Sequence, residues 1–174
     1  MRKFGVIGFV VLMFCLAFAG GCAKKVGSNA GSSAAGSGSG SGMSDAELAA
    51  QKLAEQQRKA IEKIGADKIY FAFDSNELSQ ESRQILTEKA QLMKTTPGLS
   101  LLIEGHCDER GTEEYNMALG ERRARAAYEF LVLLGVESSK MQIISYGEEY
   151  PAVKGSNEAA WSKNRRDEFK ASAK

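Results

Sequence analysis

Nine consecutive residues, Glu104-Gly105-His106-Cys107-Asp108-Glu109-Arg110-Gly111-Thr112, form the most informative run of side chains able to do chemistry in this 174-residue chain. They follow a short apolar run from Leu99 and lead into a long helix expected over Glu113 to Leu134. Thr112 suits the cap of that helix, and Glu113 and Glu114 suit its positive N-terminal end. Free backbone N–H groups at such an end bind carboxylates, while Asp108 just ahead of them attracts a cation. On a helical wheel of about 100° per residue, Leu119, Ala126, Phe130, Leu133 and Leu134 fall within roughly 60° of one direction. Arg123 falls inside this stripe, about 40° from Leu119, with Asn116 on the same side and nearer the loop. Arg122 lies at the edge of the stripe and Arg125 outside it. A guanidinium on a core-facing stripe is costly unless paired, so Arg123 requires an anionic partner. Asp108 and Arg123 thus offer a carboxylate and a bidentate donor near one helix end. Such a pair fits a zwitterionic ligand, with its ammonium on Asp108 and its carboxylate on Arg123. The two also satisfy each other if they bridge directly, and spacing alone does not separate these readings.

Other chemistries fit the same loop poorly. Three neighbours such as His106, Cys107 and Asp108 do not readily converge on one ion, and the chain has a single histidine, so no metal site is expected. A Cys107–His106 nucleophilic pair fails because neighbours on an extended segment point opposite ways. A glycan hydrolase needs two carboxylates across a sugar cleft. Glu104, Asp108 and Glu109 supply carboxylates, and it is the family resemblance described below that implies binding in place of cleavage. No catalytic residue and no cofactor is expected.

The elements that must position the loop are legible around it. Lys68 to Phe73 is a strand by its β-branched and aromatic content, and Asp74-Ser75-Asn76 turns the chain. A helix is expected over Ser79 to Lys94, stopped by Pro97-Gly98. Leu99 to Glu104 is a central strand, the long helix closes at Gly135, and Met141 to Ser145 is a third strand. Asn157 to Ser162 suits a short helix. Arg166 to Ala171 forms a last strand with Asp167, Phe169 and Ala171 on one side and a polar run at Asp167-Glu168. The order βαβαβ plus a final β predicts an α/β, two-layer sandwich.

Ahead of this domain, expected over 66–174, the chain changes character three times. Arg2 and Lys3, the apolar stretch Val6 to Ala19 and the small residues before Cys22 describe a secretory signal peptide over 1–21. The apolar stretch is short for a permanent span, which takes about 20 residues. Its removal leaves 21 basic against 22 acidic residues, a balance that argues against nucleic acid. Of the three cysteines, Cys15 would leave with the signal and Cys22 would be acylated, so Cys107 would stay unpaired. Residues 22–43 form a lipidated N-terminus and linker, with only Gly, Ser, Ala and Asn from Gly27 to Gly42. Such a coil spans about 20–25 Å when relaxed. Ser44-Asp45-Ala46-Glu47 reads as a capping box opening a helix over 44–65, thin in apolar residues and read as a solvated spacer, with a weak partner-binding helix as the alternative.

The motifs together resemble a known family. Ala19-Gly20-Gly21-Cys22 is similar to the bacterial lipobox, with Ala19 where Leu is usual. Gly105 to Thr112, Glu114-Tyr115-Asn116, Leu119-Gly120-Glu121-Arg122-Arg123-Ala124, Ser145-Tyr146-Gly147 and Asn164-Arg165-Arg166 resemble the OmpA-like domain, and more narrowly its lipoproteins of the Pal type. The likeness covers about Ile69 to Phe169. It implies a protein that grips peptidoglycan without breaking it, through the diaminopimelate of uncrosslinked stem peptides. By the resemblance, Asp108 and Arg123 hold that group, Phe73, Asp74, Ser75 and Leu119 line the pocket, and Asn116, Asn164, Arg165 and Arg166 support it. Cys107 stands where Ala or Thr is common. The resemblance further implies triacylation of Cys22 and a periplasm-facing place on the outer membrane, since Ala23 is not the retaining Asp. It also implies a Tol-Pal system serving envelope integrity and cell division, with a TolB-like periplasmic protein competing for the same surface. Flagellar stators share the domain but carry a true membrane span in place of lipobox and linker. The alternative reading is a protein-interaction module, chiefly for the TolB-like partner, with weak peptidoglycan binding.

Overall fold

A computed structural model describes residues Met43 to Ala173. The signal peptide, Cys22 and the Gly/Ser linker lie outside the described residues.

Helix α1 runs from Asp45 to Ala66 and opens on the expected capping box. The Glu47 carboxylate accepts from the Ser44 backbone N–H at 2.8 Å, and the Glu47 N–H donates to Ser44 Oγ at 3.3 Å. The expectation of a solvated spacer holds only for its N-terminal part. Ala60 and Ile64, one turn apart, are buried in the main core, with Ile61 packed beside them. Gln56 and Gln57 donate to the carbonyls of Thr95 and Pro97, and the Lys89 ammonium donates to that of Ile64. The packed unit therefore begins inside α1, earlier than the boundary at 66. A few apolar residues suffice because the last ones share a face.

Strand β1 is Ile69–Tyr70, shorter than the run expected over Lys68 to Phe73. Phe71 still donates its N–H to the Arg165 carbonyl at 3.0 Å, and the chain then leaves the sheet. Asp74 takes a left-handed φ of 53°, turning the backbone so that the carbonyls of Ala72 and Ser75 meet Arg123. Helix α2, Gln80–Thr95, is capped by the Ser79 hydroxyl. Strand β2, Leu99–His106, extends two residues past the expected end. After it come helix α3, Glu113–Leu133, strand β3, Met141–Gly147, helix α4, Glu158–Asn164, and strand β4, Arg166–Ala173.

The four strands form one sheet in the order β1-β4-β2-β3, with β2 parallel to β3 and antiparallel to β4. The last strand is thus an inner one, paired from Leu99↔Ala173 to Gly105↔Asp167. Its polar run is accommodated by alternation. Asp167 and Phe169 point toward the helices and are buried. Glu168 and Lys170 point the other way, into ion pairs with Lys68 at 2.8 Å and Glu104 at 2.8 Å. The helices cover one face of the sheet, giving the two-layer α/β sandwich, and the core joins Ile64, Leu86, Ala90, Ala124 and Leu131 to Leu101, Ile103 and Phe169.

The face that α3 presents differs from the expected stripe. Its buried residues are Asn116, Leu119, Gly120, Arg123, Ala124, Ala127 and Leu131, while Leu133 is 79% exposed. The true centre lies roughly 75° around the wheel from Leu119. Small residues set it, because α3 presses onto β2 backbone to backbone. A Cβ on Gly105 would sit 2.0 Å from the Gly120 carbonyl oxygen, and one on Gly120 would sit 2.3 Å from Ser145 Oγ.

Candidate functional site

The end of β2, the N-terminus of α3 and the loop after β1 enclose a cavity of about 170 Å³. Phe73, Asp74, Cys107, Asp108, Leu119 and Arg123 line it, and Arg110, Gly111, Tyr115, Asn116 and Arg165 complete the wall. Thr112 holds the mouth of α3 by accepting the Tyr115 N–H at 3.2 Å.

Arg123 is fully buried, at 0% exposure, as its place on the helix required. Its partners are not carboxylates. Nε donates to the Ser75 carbonyl at 2.8 Å, Nη1 to that of His106 at 2.9 Å, and Nη2 to that of Ala72 at 3.3 Å. Nη1 also approaches Cys107 Sγ at 3.4 Å, and the guanidinium stacks 5.1 Å from the Phe71 ring centre. Burial pulls its pKa down from the ordinary arginine value, with nearby Arg165 acting in the same direction. Carbonyl dipoles therefore hold the cation without neutralising it, which leaves a positive charge at the cavity floor.

Asp108 does not bridge to Arg123. Its carboxylate accepts from Arg110 Nε at 3.0 Å and Nη2 at 2.6 Å, and from Arg165 Nη1 at 3.1 Å. Burial alone would raise this carboxyl, but the hydrogen bonds from the two arginines outweigh it and hold the group below the ordinary aspartate value. Arg165 also donates to the Phe71 carbonyl and the Glu158 carboxylate, tying β1 and α4 to the site.

The remaining expected residues divide by role. Phe73 is 60% exposed at the rim, and Asp74 beside it accepts from the Tyr115 hydroxyl. Ser75 is not in the wall; it acts through its carbonyl on Arg123. Asn116 fastens the loop, donating to the carbonyls of Asp108 and Arg110 at 3.2 Å each. Asn164 exchanges two 2.9 Å hydrogen bonds with the backbone of Val153, and Arg166 donates to the carbonyls of Asn164 and Tyr150; neither reaches the cavity. Cys107 is buried, donates to the Asn116 carbonyl at 3.3 Å and is pushed up to about 11 by burial, so it remains a thiol and not a nucleophilic thiolate. His106, stacked on Tyr146 at 5.5 Å, is lowered to about 4 by burial first and then by Arg166. Arg110, Gly111 and Tyr115 were not anticipated as wall residues. Arg110 carried a signal, standing two residues from Asp108 in the same loop. Tyr115 stood in the Glu114-Tyr115-Asn116 motif, but nothing local tied it to its partner Asp74, 41 residues away.

On this frame, an OmpA family profile matches residues 70–165. The peptidoglycan-associated lipoprotein of Pseudomonas putida is 41% identical over 170 residues, 98% of each chain. The chain belongs to the OmpA family and, within it, to the peptidoglycan-associated lipoproteins. The crystal structure of the peptidoglycan-associated lipoprotein from Burkholderia pseudomallei superimposes with a TM-score of 0.61 at 40% identity, covering 63% of this chain and 93% of that one. The C-terminal domain of Helicobacter pylori MotB, at 21% identity, a TM-score of 0.59 and coverage of 63% and 87%, shares the fold. The relatives are named for their association with peptidoglycan and not for a reaction. No helix among the described residues is long and apolar enough to cross a membrane.

Proposed function

We propose that this protein anchors the outer membrane to peptidoglycan without a covalent bond, by holding the free end of diaminopimelate in the Asp108/Arg123 cavity. The observation that carries the proposal is a buried guanidinium at the floor with no carboxylate bonded to it among the described residues, 0% exposed and facing the same cavity as a buried carboxylate. A ligand carboxylate supplies the charge that backbone carbonyls cannot, and the ligand ammonium completes the match at Asp108. The names of the relatives point the same way.

The anchor's other half is Cys22, acylated after signal removal, with the Gly/Ser linker spanning the gap to the wall. The domain acts within a Tol-Pal system, and a TolB-like periplasmic protein covers Phe73 and the cavity mouth, so that its binding and peptidoglycan binding exclude each other. The test is sedimentation of the full-length chain with purified sacculi. Asp108→Ala and Arg123→Ala should each leave the protein in the supernatant; undiminished pelleting of both variants would refute the site. Cys22→Ser should abolish labelling by fatty acid while sacculus binding persists.

A further inference from the structure

The Asp108 carboxylate is already full. An ionised carboxylate has about four acceptor positions. Oδ1 takes the Arg110 backbone N–H at 3.1 Å and Nε at 3.0 Å, while Oδ2 takes Arg110 Nη2 at 2.6 Å and Arg165 Nη1 at 3.1 Å. Nothing is left for a ligand ammonium. The two arginines are not equally fixed, however. Arg165 is 7% exposed in its side chain and also grips the Phe71 carbonyl, whereas the Arg110 side chain is 29% exposed.

Arg110 lies in a slot between two aromatic faces, its guanidinium carbon 4.1 Å from the ring centre of Phe73 and 4.1 Å from that of Trp161. The slot holds a cation by its ring faces and does not depend on the carboxylate. A second acceptor stands nearby: Glu158 Oε2 is 3.8 Å from Arg110 Nη1, while Oε1 of the same residue already serves Arg165. A short swing therefore transfers Arg110 from Asp108 to Glu158 without leaving its charge unpaired.

We propose that Arg110 is a displaceable latch on the ligand site, closed on Asp108 in the free protein and opened onto Glu158 when a ligand ammonium takes its place. The proposal rests on the reading of the cavity as a diamino-acid site. It makes Arg110 a specificity-determining residue, because only a ligand that brings its own cation to Asp108 opens the latch. A simple carboxylic acid leaves Asp108 to Arg110.

The experiment is calorimetric titration of the full-length chain with free meso-diaminopimelate, alongside Arg110→Met, which keeps the apolar bulk between the rings and removes the donors. The variant should bind about tenfold more tightly, since the ligand no longer displaces a bidentate ion pair. Adding Asp108→Ala should erase that gain. Trp161 is the only tryptophan in the chain, so its emission reports the latch in the unaltered protein. It should change saturably with ligand and stay flat in Arg110→Met. Equal or weaker binding by Arg110→Met, or a flat signal in the native chain while calorimetry shows binding, overturns the latch and leaves the site reading standing. Absence of binding by every variant, with sacculus pelleting insensitive to Asp108→Ala and Arg123→Ala, overturns both.

Discussion

The floor and the rim of the cavity hold opposite charges by opposite means. At the floor, the Arg123 cation is held by three backbone carbonyls, supplied by His106 at the end of β2 and by Ala72 and Ser75 after β1. At the rim, the Asp108 anion is held by two guanidiniums on side chains. Backbone dipoles cannot move without moving the end of β2 or the turn after β1, so the floor is part of the fold. Of the two guanidiniums, that of Arg165 is buried and tied to the Phe71 carbonyl, whereas that of Arg110 can leave by rotation, so the rim is exchangeable on one side. Stability should therefore follow the floor, and ligand selection should follow the rim.

The largest expected effect breaks the floor itself. Gly105→Ala drives a Cβ against the Gly120 carbonyl, where neither backbone can give. It should cost about 3–4 kcal/mol or more, read as a lower urea midpoint. A wild-type midpoint would show that α3 can lift from β2. Next, Arg123→Met keeps bulk but strips three carbonyls of their donor, and a loss of about 3 kcal/mol should accompany the loss of sacculus binding. At the rim, Asp108→Asn should cost only about 1–2 kcal/mol while still abolishing sacculus binding. Equal destabilisation by the two substitutions would dissolve the distinction.

A pH series sharpens the floor further. Asp167, wholly buried beneath the site, has no hydrogen-bond partner among the described residues, and burial raises its pKa well above the ordinary aspartate value despite Arg123 and Arg166. A raised folded pKa means stability is full below the unfolded value of about 4 and is lost as pH rises through the folded one. Asp167→Asn should therefore gain on the wild type in thermal midpoint from pH 4 toward 7, and a constant gap would refute the assignment. His106, lowered to about 4, has the reverse sign: its burial costs stability as pH falls below about 6.5. Any slope of the wild type is thus a difference of two, best read in single variants. The smallest effect is expected of Phe73→Ala, about 0.5–1 kcal/mol from one lost stacking contact on Arg110.

The sequence was most legible where one residue decides the outcome locally. Ser44 and Thr112 cap their helices, and Gly135, at a φ of 88°, ends the long one. Arg123 was legible as buried, because a charge among apolar neighbours has few resolutions. Its partners were not, since carbonyls leave no mark in side-chain spacing. The stripe on α3 misled because hydrophobicity alone ranks Leu133 above Gly120 and Ala124. Close backbone approach reverses that order, and only the partner strand reveals it. The docking of α1 and the Phe73–Arg110–Trp161 stack depend on residues far apart in the chain, where no local pattern speaks.

The docked turns of α1 have a mechanical meaning. A pull on the chain ahead of Met43 does not reach the sheet through β1, a two-residue edge strand that would peel one hydrogen bond at a time. It arrives along a 22-residue helix whose end is set among Phe169 of the inner strand β4 and Leu86, Ala90 and Met93 of α2. Lys89 adds a tie by clasping the carbonyl of Ile64. Force entering there is shared by two layers at once. The chain ahead of Met43 thus meets the domain at a packed helix and not at a sheet edge.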